Sequence, residues 1–151
     1  MQYWQDIPIG QRYRAGPITL LKKDILEFAA EFDPQPFHLS SEAADESIFG
    51  GLCASGWQVC ALMMRLLADT LNQEKIMALG SPGVEQLRWL KPVFADDQLY
   101  ADITVDSKIK HQEYGDLLCN ISVYNQDEKC VMNLSSPIMV AYQDQDEVHN
   151  D

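Results

Sequence analysis

Apolar and polar residues alternate with a period of two through most of the second half of the chain. Such alternation is typical of strands with one buried face. It predicts three long strands whose inward-facing residues are Leu99, Ala101, Ile103 and Val105, then Leu117, Cys119, Ile121 and Val123, then Cys130, Met132, Leu134, Ile138 and Val140. Residues 84–89 form a further predicted strand, and Pro137 indicates an edge or a bulge. Tyr114-Gly115 and residues 125–128 are predicted hairpin turns.

The first half of the chain is predicted to be mainly helical. Residues 11–15 suit a short strand that the following Gly-Pro pair ends. Apolar residues at spacings of 3, 4 and 7 then predict a helix from Thr19, a possible cap, to about Phe32. Two prolines within residues 34–36 predict a stiff loop, because the residue before a proline avoids helical geometry. Residues 41–44 suit a short second helix.

Residues 53–72 are apolar at nearly every position and predict one long helix. Its polar residues beyond the first turn fall on a narrow stripe formed by Gln58, Arg65, Asp69 and Asn72. A helix with so wide an apolar surface must be covered by other elements. The fold class is therefore predicted to be α+β, with an antiparallel sheet curled around a long central helix, the arrangement known as the hot-dog fold.

Length, composition and charge narrow the class of protein. The chain has 151 residues, of which 46% are hydrophobic, and we expect one domain over residues 1–142. Residues 143–151 are an acidic tail that we expect to be disordered. A net charge of −12 argues against a nucleic-acid partner. The sequence shows no long apolar run and no signal peptide, so we expect a cytoplasmic protein. Its four cysteines form neither a C-x-x-C pair nor a zinc pattern, so we expect free thiols and no metal.

The segment Asp33-Pro34-Gln35-Pro36-Phe37-His38 contains the first candidate chemistry. A stiff loop holds a carboxylate and an imidazole close in sequence, so both side chains can converge on one small site. Adding water to a conjugated thioester requires groups that accept and deliver protons, and Asp and His suit this role. The alternative is that Asp33 ends a helix and His38 satisfies backbone groups of the loop.

The segment Ala54-Ser55-Gly56-Trp57 is the second candidate, at the start of the long helix. The first N–H groups of a helix have no intrahelical acceptor, and the helix dipole is positive there. The Gly56 N–H could therefore donate to a thioester oxygen and stabilise its negative charge during addition. The alternative is that Ser55 only caps the helix and Gly56 only permits close packing.

Together, in this order, these segments resemble the MaoC-like, (R)-specific enoyl-CoA hydratases. Residues 33–38 are similar to the D-x-N-P-x-H motif of that family, and residues 49–57 to its approach to the central helix. Residues 87–93, followed by Asp96-Asp97, resemble its R-F-x-x-P-V…G-D strand and turn. The resemblance covers roughly residues 8 to 142.

The resemblance implies that Asp33 and His38 are the catalytic pair and that the Gly56 N–H is the oxyanion donor. It also implies substrate contacts for Gln35, which replaces the usual Asn, and for Ser55, which replaces a common His. Further candidates are Phe37, Phe49, Trp57 and Met63 for the acyl pocket and Arg88 and Lys91 for coenzyme A phosphates, although the alternative for all of them is plain core or plain surface.

The function implied is reversible hydration of a trans-2-enoyl thioester, presented by coenzyme A or by a carrier protein, with no metal or redox cofactor. One alternative is a thioesterase on the same fold, since fold does not dictate function. Another is a subunit that binds acyl thioesters without catalysis. We expect neither nucleic acid nor membrane as a partner. Because an isolated curled sheet leaves edge strands exposed, we expect a homodimer or a dimer-based oligomer.

Overall fold

The computed structural model of the chain describes residues 1–144. Within these residues the strands are β1 (Arg12–Thr19), β2 (Ala78–Gly80), β3 (Glu85–Trp89), β4 (Gln98–Lys110), β5 (Tyr114–Tyr124) and β6 (Cys130–Ala141). The helices are α1 (Lys22–Phe32), α2 (Pro36–Leu39), α3 (Ser41–Asp45) and α4 (Gly56–Gln73), preceded by a 3-10 turn at Trp4–Asp6.

All six strands form one antiparallel sheet in the order β1-β4-β5-β6-β2, and β3 also pairs with β6. The alternation predicted for β4, β5 and β6 is confirmed, because their inward-facing residues from Leu99 to Val140 are buried, apart from the half-buried Cys130. Pro137 pairs with Leu118 of β5 and, on the other side of β6, lies between the segments that pair with β3 and β2. The predicted hot-dog architecture is therefore present.

Two predictions about the beginning of the chain were wrong. β1 does not end at Gly16-Pro17 but continues to Thr19, with a shift in register between Ala15 and Ile18. A Cβ at Gly16 would lie 2.7 Å from the Leu99 carbonyl oxygen, so the glycine permits this close pairing with β4. Thr19 is consequently the last strand residue and not a cap, and α1 begins at Lys22.

Two local predictions also require correction. Residues Pro36–Leu39 form a helical turn where a loop was predicted, because proline is well suited to the first position of a helix. Tyr114 and Gly115 belong to β5, and the β4–β5 turn lies just before them, with the His111 N–H bonded to the Tyr114 carbonyl at 3.0 Å. The turn predicted over residues 125–128 is confirmed by a bond of 3.0 Å from the Asn125 N–H to the Lys129 carbonyl.

The long helix α4 is only partly covered by the sheet. Val59, Met63, Leu66 and Leu67 are buried, but Trp57 is 60% exposed and Met64 is 50% exposed. The residues of the predicted polar stripe differ in exposure, since Gln58 is buried whereas Arg65 and Asp69 form an exposed ion pair. In the part of the chain that the structure describes, no helix is long and apolar enough to cross a membrane. Most of the predicted acidic tail, residues 145–151, lies outside the described residues.

Candidate active site

His38 is held in place by a bond to the backbone. It lies on α2, is 6% exposed, and its Nδ1 is 2.7 Å from the carbonyl oxygen of Cys53. Because a carbonyl oxygen only accepts hydrogen bonds, Nδ1 must carry a proton. A neutral His38 therefore presents Nε2 as an unprotonated nitrogen, and this atom lies 3.5 Å from Oδ2 of Asp33.

Asp33 follows the last residue of α1, and its N–H bonds to the Ala29 carbonyl at 2.9 Å. Its Oδ1 accepts a hydrogen bond of 2.6 Å from Nε2 of Gln35. This bond, followed by one from the Ser55 hydroxyl and by the charge of His38, lowers the pKa of the Asp33 carboxyl below its ordinary value against the opposing effect of burial. Asp33 is therefore a carboxylate at neutral pH.

The beginning of α4 brings Gly56 to the same cavity as His38. Ser55 is fully buried and caps the helix, since its Oγ accepts a bond of 3.3 Å from the Trp57 N–H. A bond of 2.8 Å from the Ala54 N–H to the Val93 carbonyl ties this point to the chain segment after β3. Among the described residues no acceptor meets the Gly56 N–H, so this group is available to a ligand at the positive end of α4.

A cavity of about 280 Å³ joins these elements. Its lining combines a polar corner with a mostly apolar wall from the chain around β3 and α4. The residues that line it are His38, Phe49, Cys53, Ala54, Gly56, Val59, Trp89, Leu90, Lys91, Pro92, Val93 and Val131. Of the predicted site residues, His38, Gly56, Phe49 and Lys91 line this cavity.

Three other predicted residues do not line the cavity. Asp33, Gln35 and Ser55 contact one another or His38 rather than the cavity. Phe37 packs edge-on against the His38 ring at 4.5 Å between centroids and against Phe49 at 5.2 Å. These residues are therefore placed to orient the groups that line the cavity.

The remaining predicted residues are not brought to the cavity. Trp57 is largely exposed and packs edge-on against the Trp89 ring at 5.1 Å. Met63 is buried in the hydrophobic core. Arg88 is exposed, donates to the carbonyl of its neighbour Leu87 at 2.9 Å, and does not line the cavity.

The comparisons with known proteins identify a family for the chain. A family model described as a MaoC like domain matches residues 5–123. The chain belongs to the MaoC-like dehydratase family. This MaoC-like chain is 34% identical over 125 residues to the protein YdeM of Bacillus subtilis (strain 168), covering 82% of the chain and 87% of YdeM.

Solved structures extend the likeness of this MaoC-like protein to three dimensions. The MaoC-like dehydratase from Rhodospirillum rubrum superposes with a TM-score of 0.86 at 33% identity, covering 95% of the chain and 99% of that structure. The R-hydratase PhaJ1 from Pseudomonas aeruginosa has a TM-score of 0.68 at 22% identity, with 93% and 86% covered. At that identity the second likeness shows a shared fold.

Sequence reasoning missed several residues that line the cavity of this MaoC-like protein, notably Trp89, Pro92 and Val131. Trp89 is on the inward face of β3, opposite Met132 of β6, and its Nε1 donates to the Gly56 carbonyl at 2.9 Å. The alternation of Leu87 and Trp89 along the predicted strand could have placed both on the side of the central helix. No local pattern indicated Val131, because its position depends on pairing between distant strands.

Proposed function

We propose that this MaoC-like protein adds water reversibly to the double bond of a trans-2-enoyl thioester. The observation that carries the proposal is the pair of hydrogen-bond acceptors formed by Asp33 Oδ2 and His38 Nε2, 3.5 Å apart, with His38 on the same cavity as the available Gly56 N–H. The hydration of an alkene next to a thioester carbonyl needs a positioned water, a proton carrier and a donor for the carbonyl oxygen.

The two acceptors suit a single water molecule. Each hydrogen of the water can be directed at one acceptor, which leaves the oxygen lone pairs free to attack C3 of the enoyl group. His38 takes one proton from the water as the new C–O bond forms. The resulting imidazolium then delivers a proton to C2, so the histidine ends in its original state and the elements of water have been added.

The chemical roles of Asp33 and His38 differ. The lowered pKa of Asp33 keeps it ionised at neutral pH, so it accepts a hydrogen bond from water and stabilises the transient imidazolium. His38 is the proton carrier in this proposal, because the Cys53 carbonyl fixes the proton on Nδ1 and leaves Nε2 as the base. The reverse sequence of steps dehydrates a 3-hydroxyacyl thioester.

Gly56 supplies the third requirement. Attack at C3 places negative charge on the thioester oxygen, and the N–H at the first residue of α4 can donate to it. The dipole of this 18-residue helix adds a positive potential at the same point.

The comparisons support this reaction class without naming a substrate. The family is that of the MaoC-like dehydratases, and PhaJ1, which shares the fold, is described as an R-hydratase.

The free thiols of Cys53, Cys60, Cys119 and Cys130 support the cytoplasm as the proposed compartment, because such thiols persist where the medium is reducing.

The test is to follow loss of the enoyl-thioester absorbance for short, medium and branched trans-2-enoyl-CoA substrates, with a thiol trap present. We expect loss of the band without thiol release, and a decrease of at least about a hundredfold in turnover for Asp33→Asn and for His38→Ala. The matched control is His111→Ala, which breaks a His–Asp contact of 2.8 Å to Asp116 away from the cavity.

Each other outcome has a definite meaning. Release of thiol would show a thioesterase. Binding of the substrates without turnover would show a non-catalytic acyl-thioester subunit. Full activity in both Asp33→Asn and His38→Ala would exclude the proposed mechanism.

We also propose that two copies of the chain associate through the uncovered side of α4. Trp57, Met64, Trp89 and Leu90 are each at least 45% exposed, and their apolar surface would be removed from water by a second copy. Sedimentation should therefore show a species of twice the 17.1 kDa chain mass, whereas Met64→Glu should favour the single chain.

A further inference from the structure

Ser55 connects the two halves of the proposed active site, the carboxylate of Asp33 and the N–H of Gly56. It is the residue immediately before α4, and none of its surface is exposed. A serine hydroxyl has one hydrogen to donate and lone pairs that accept, and burial without partners for them is costly. The partners of this hydroxyl therefore indicate the role of the residue.

On the helix side, Ser55 provides acceptors for three of the first four N–H groups of α4. Its Oγ accepts from the Trp57 N–H at 3.3 Å, and its carbonyl oxygen accepts from the N–H groups of Gln58 at 3.0 Å and Val59 at 3.2 Å. The first N–H groups of a helix otherwise have few partners. Within residues 1–144 the Gly56 N–H is the one of these four that meets no acceptor. Ser55 thus ties up the neighbouring donors and leaves this one for a ligand.

On the other side, the same hydroxyl donates to the Asp33 carboxylate. After the bond from Gln35, this is the largest influence that lowers the pKa of Asp33. Gln35 already occupies Oδ1 at 2.6 Å, and Oδ2 lies 3.5 Å from Nε2 of His38. Hydrogen bonds in a chain polarise one another, so a hydroxyl that accepts from a helix N–H is a stronger donor. A chain of two bonds therefore runs from the Trp57 N–H through Ser55 to the proposed acceptor of the reacting water.

Ser40 provides a comparison within the same protein. It caps α3 as Ser55 caps α4, since its Oγ accepts from the Ala43 N–H, also at 3.3 Å. Ser40 is only half-buried, does not line the cavity, and makes this one side-chain hydrogen bond among the described residues. Capping a helix therefore requires neither the complete burial nor the second bond that Ser55 has.

We infer that Ser55 is a positioning residue for the proposed hydration, whose hydroxyl holds the Asp33 carboxylate in place relative to the start of α4 and so to the Gly56 N–H. The inference rests on the proposed function, because it takes Asp33 and the Gly56 N–H to act on the substrate. It gives a chemical role to a serine at a position where the hydratases that the chain resembles commonly have a histidine.

Four variants separate positioning from capping. Ser55→Ala removes both the hydroxyl and the cap, whereas Ser55→Gly removes the hydroxyl at little cost in capping, because glycine is tolerated well at this position of a helix. Ser55→Thr keeps a hydroxyl. The matched control is Ser40→Ala, which removes a cap of the same length from α3.

Two measurements are made on each variant. The pKa of the labelled Asp33 carboxyl, followed by carbon NMR without substrate, should rise toward 3.8 in Ser55→Ala and Ser55→Gly, by less than in Gln35→Leu. Turnover of the enoyl thioester should fall about tenfold in both, with KM changed less than twofold, because a displaced carboxylate slows the chemical step more than it weakens binding. Ser55→Thr should recover most of both values, and Ser40→Ala should alter neither.

The contrary results are distinct. A wild-type pKa of Asp33 in both Ser55→Ala and Ser55→Gly would overturn the link between the hydroxyl and the carboxylate. Low turnover in Ser55→Ala with wild-type turnover in Ser55→Gly would show that Ser55 acts only as a cap. Absence of hydration by the wild-type protein would instead refute the proposed function, and the pKa comparison distinguishes the two failures because it needs no substrate.

Discussion

The indole ring of Trp89 lies across the backbone of Gly56 at the first residue of α4. Its Nε1 donates to the Gly56 carbonyl at 2.9 Å, and a Cβ on Gly56 would lie 2.4 Å from Cε2 of the ring. Atoms of folded proteins do not approach so closely without displacement of one of them. Glycine is therefore required here by packing, independently of any role of its N–H.

The first prediction is that Gly56→Ala lowers stability. Trp89 is 45% exposed and can rotate away, but it would lose its bond to Gly56 and its contact with Trp57. We expect the free energy of unfolding to fall by about 1–2 kcal/mol in urea titrations. The matched control is Gly83→Ala, since a Cβ there would have no atom within 4 Å.

A double mutant separates this steric effect from other causes. In a Trp89→Ala background the ring is absent, so the additional cost of Gly56→Ala should fall close to zero. An unchanged cost in that background would show that the contact with Trp89 is not the reason for the glycine.

The second prediction concerns the pH dependence of Asp33. Gln35→Leu removes the largest influence that lowers the pKa of this carboxyl, so the pKa should rise toward the ordinary value of 3.8. Carbon NMR titration of the labelled carboxyl would measure the shift directly.

The same change in pKa predicts how the stability of Gln35→Leu depends on pH. A carboxyl whose pKa is lowered on folding stabilises the protein above its unfolded pKa, and this contribution disappears as pH falls through the folded pKa. Gln35→Leu should therefore be less stable than the wild type at neutral pH, and the difference should diminish in acid. Gln35→Asn keeps an amide and serves as the conservative control. A downward shift of the Asp33 pKa in Gln35→Leu would contradict the assignment.

The third prediction concerns the attachment of the amino-terminal turn. Nε1 of Trp4 donates to the Asp116 carbonyl at 2.9 Å, and the Lys108 ammonium lies 4.1 Å from the centroid of the indole ring and donates to the Trp4 carbonyl at 2.7 Å. Trp4→Phe removes the N–H and should lower the free energy of unfolding by about 1–2 kcal/mol. Tyr3→Phe should change it little, because the one hydrogen bond of the Tyr3 hydroxyl within residues 1–144 goes to the Met1 sulfur, at 3.9 Å. Equal losses in the two variants would argue against this anchor.

The fourth prediction concerns thiol reactivity. Burial, with a smaller contribution from Asp106, raises the pKa of the Cys119 thiol to about 12. At pH 8 only on the order of one thiol in ten thousand would be a thiolate, which is the form that reacts with iodoacetamide. Mass spectrometry of the native protein should find Cys119 unlabelled after Cys130 has reacted, and all four cysteines labelled in urea. Early labelling of Cys119 would show that this part of β5 opens readily.

The sequence predicted what depends on short-range pattern and missed what depends on distant contacts. The alternation in β4 and β5 was sufficient to identify the sheet, because each strand buries one face along its length. Gly16-Pro17 has the local pattern of a turn, yet pairing with β4 carries the strand through it to Thr19. Tertiary pairing thus overrode a local preference.

The same distinction applies to the candidate site. Asp33 and His38 could be named because both belong to one short segment with a recognisable spacing. Trp57 is close to the site in sequence but points outward, since a helix turns its successive residues to different sides. Lys91 lines the cavity and Arg88 does not, and this difference depends on the pairing of β3 with β6, which no local spacing reveals.

The bond from His38 to the Cys53 carbonyl separates the proposed proton carrier from the rest of the cavity lining along the chain. It joins the two ends of residues 39–52, so the imidazole is bonded directly to the backbone that follows this segment. Phe49, the one residue of this segment that lines the cavity, follows Ile48, which is 96% exposed, in a surface turn. Insertions and substitutions at this turn can therefore reshape the wall of the cavity while His38, the proposed proton carrier, keeps its bond to Cys53, which makes the turn the natural place for an evolving lineage, or a designed library, to acquire new substrates.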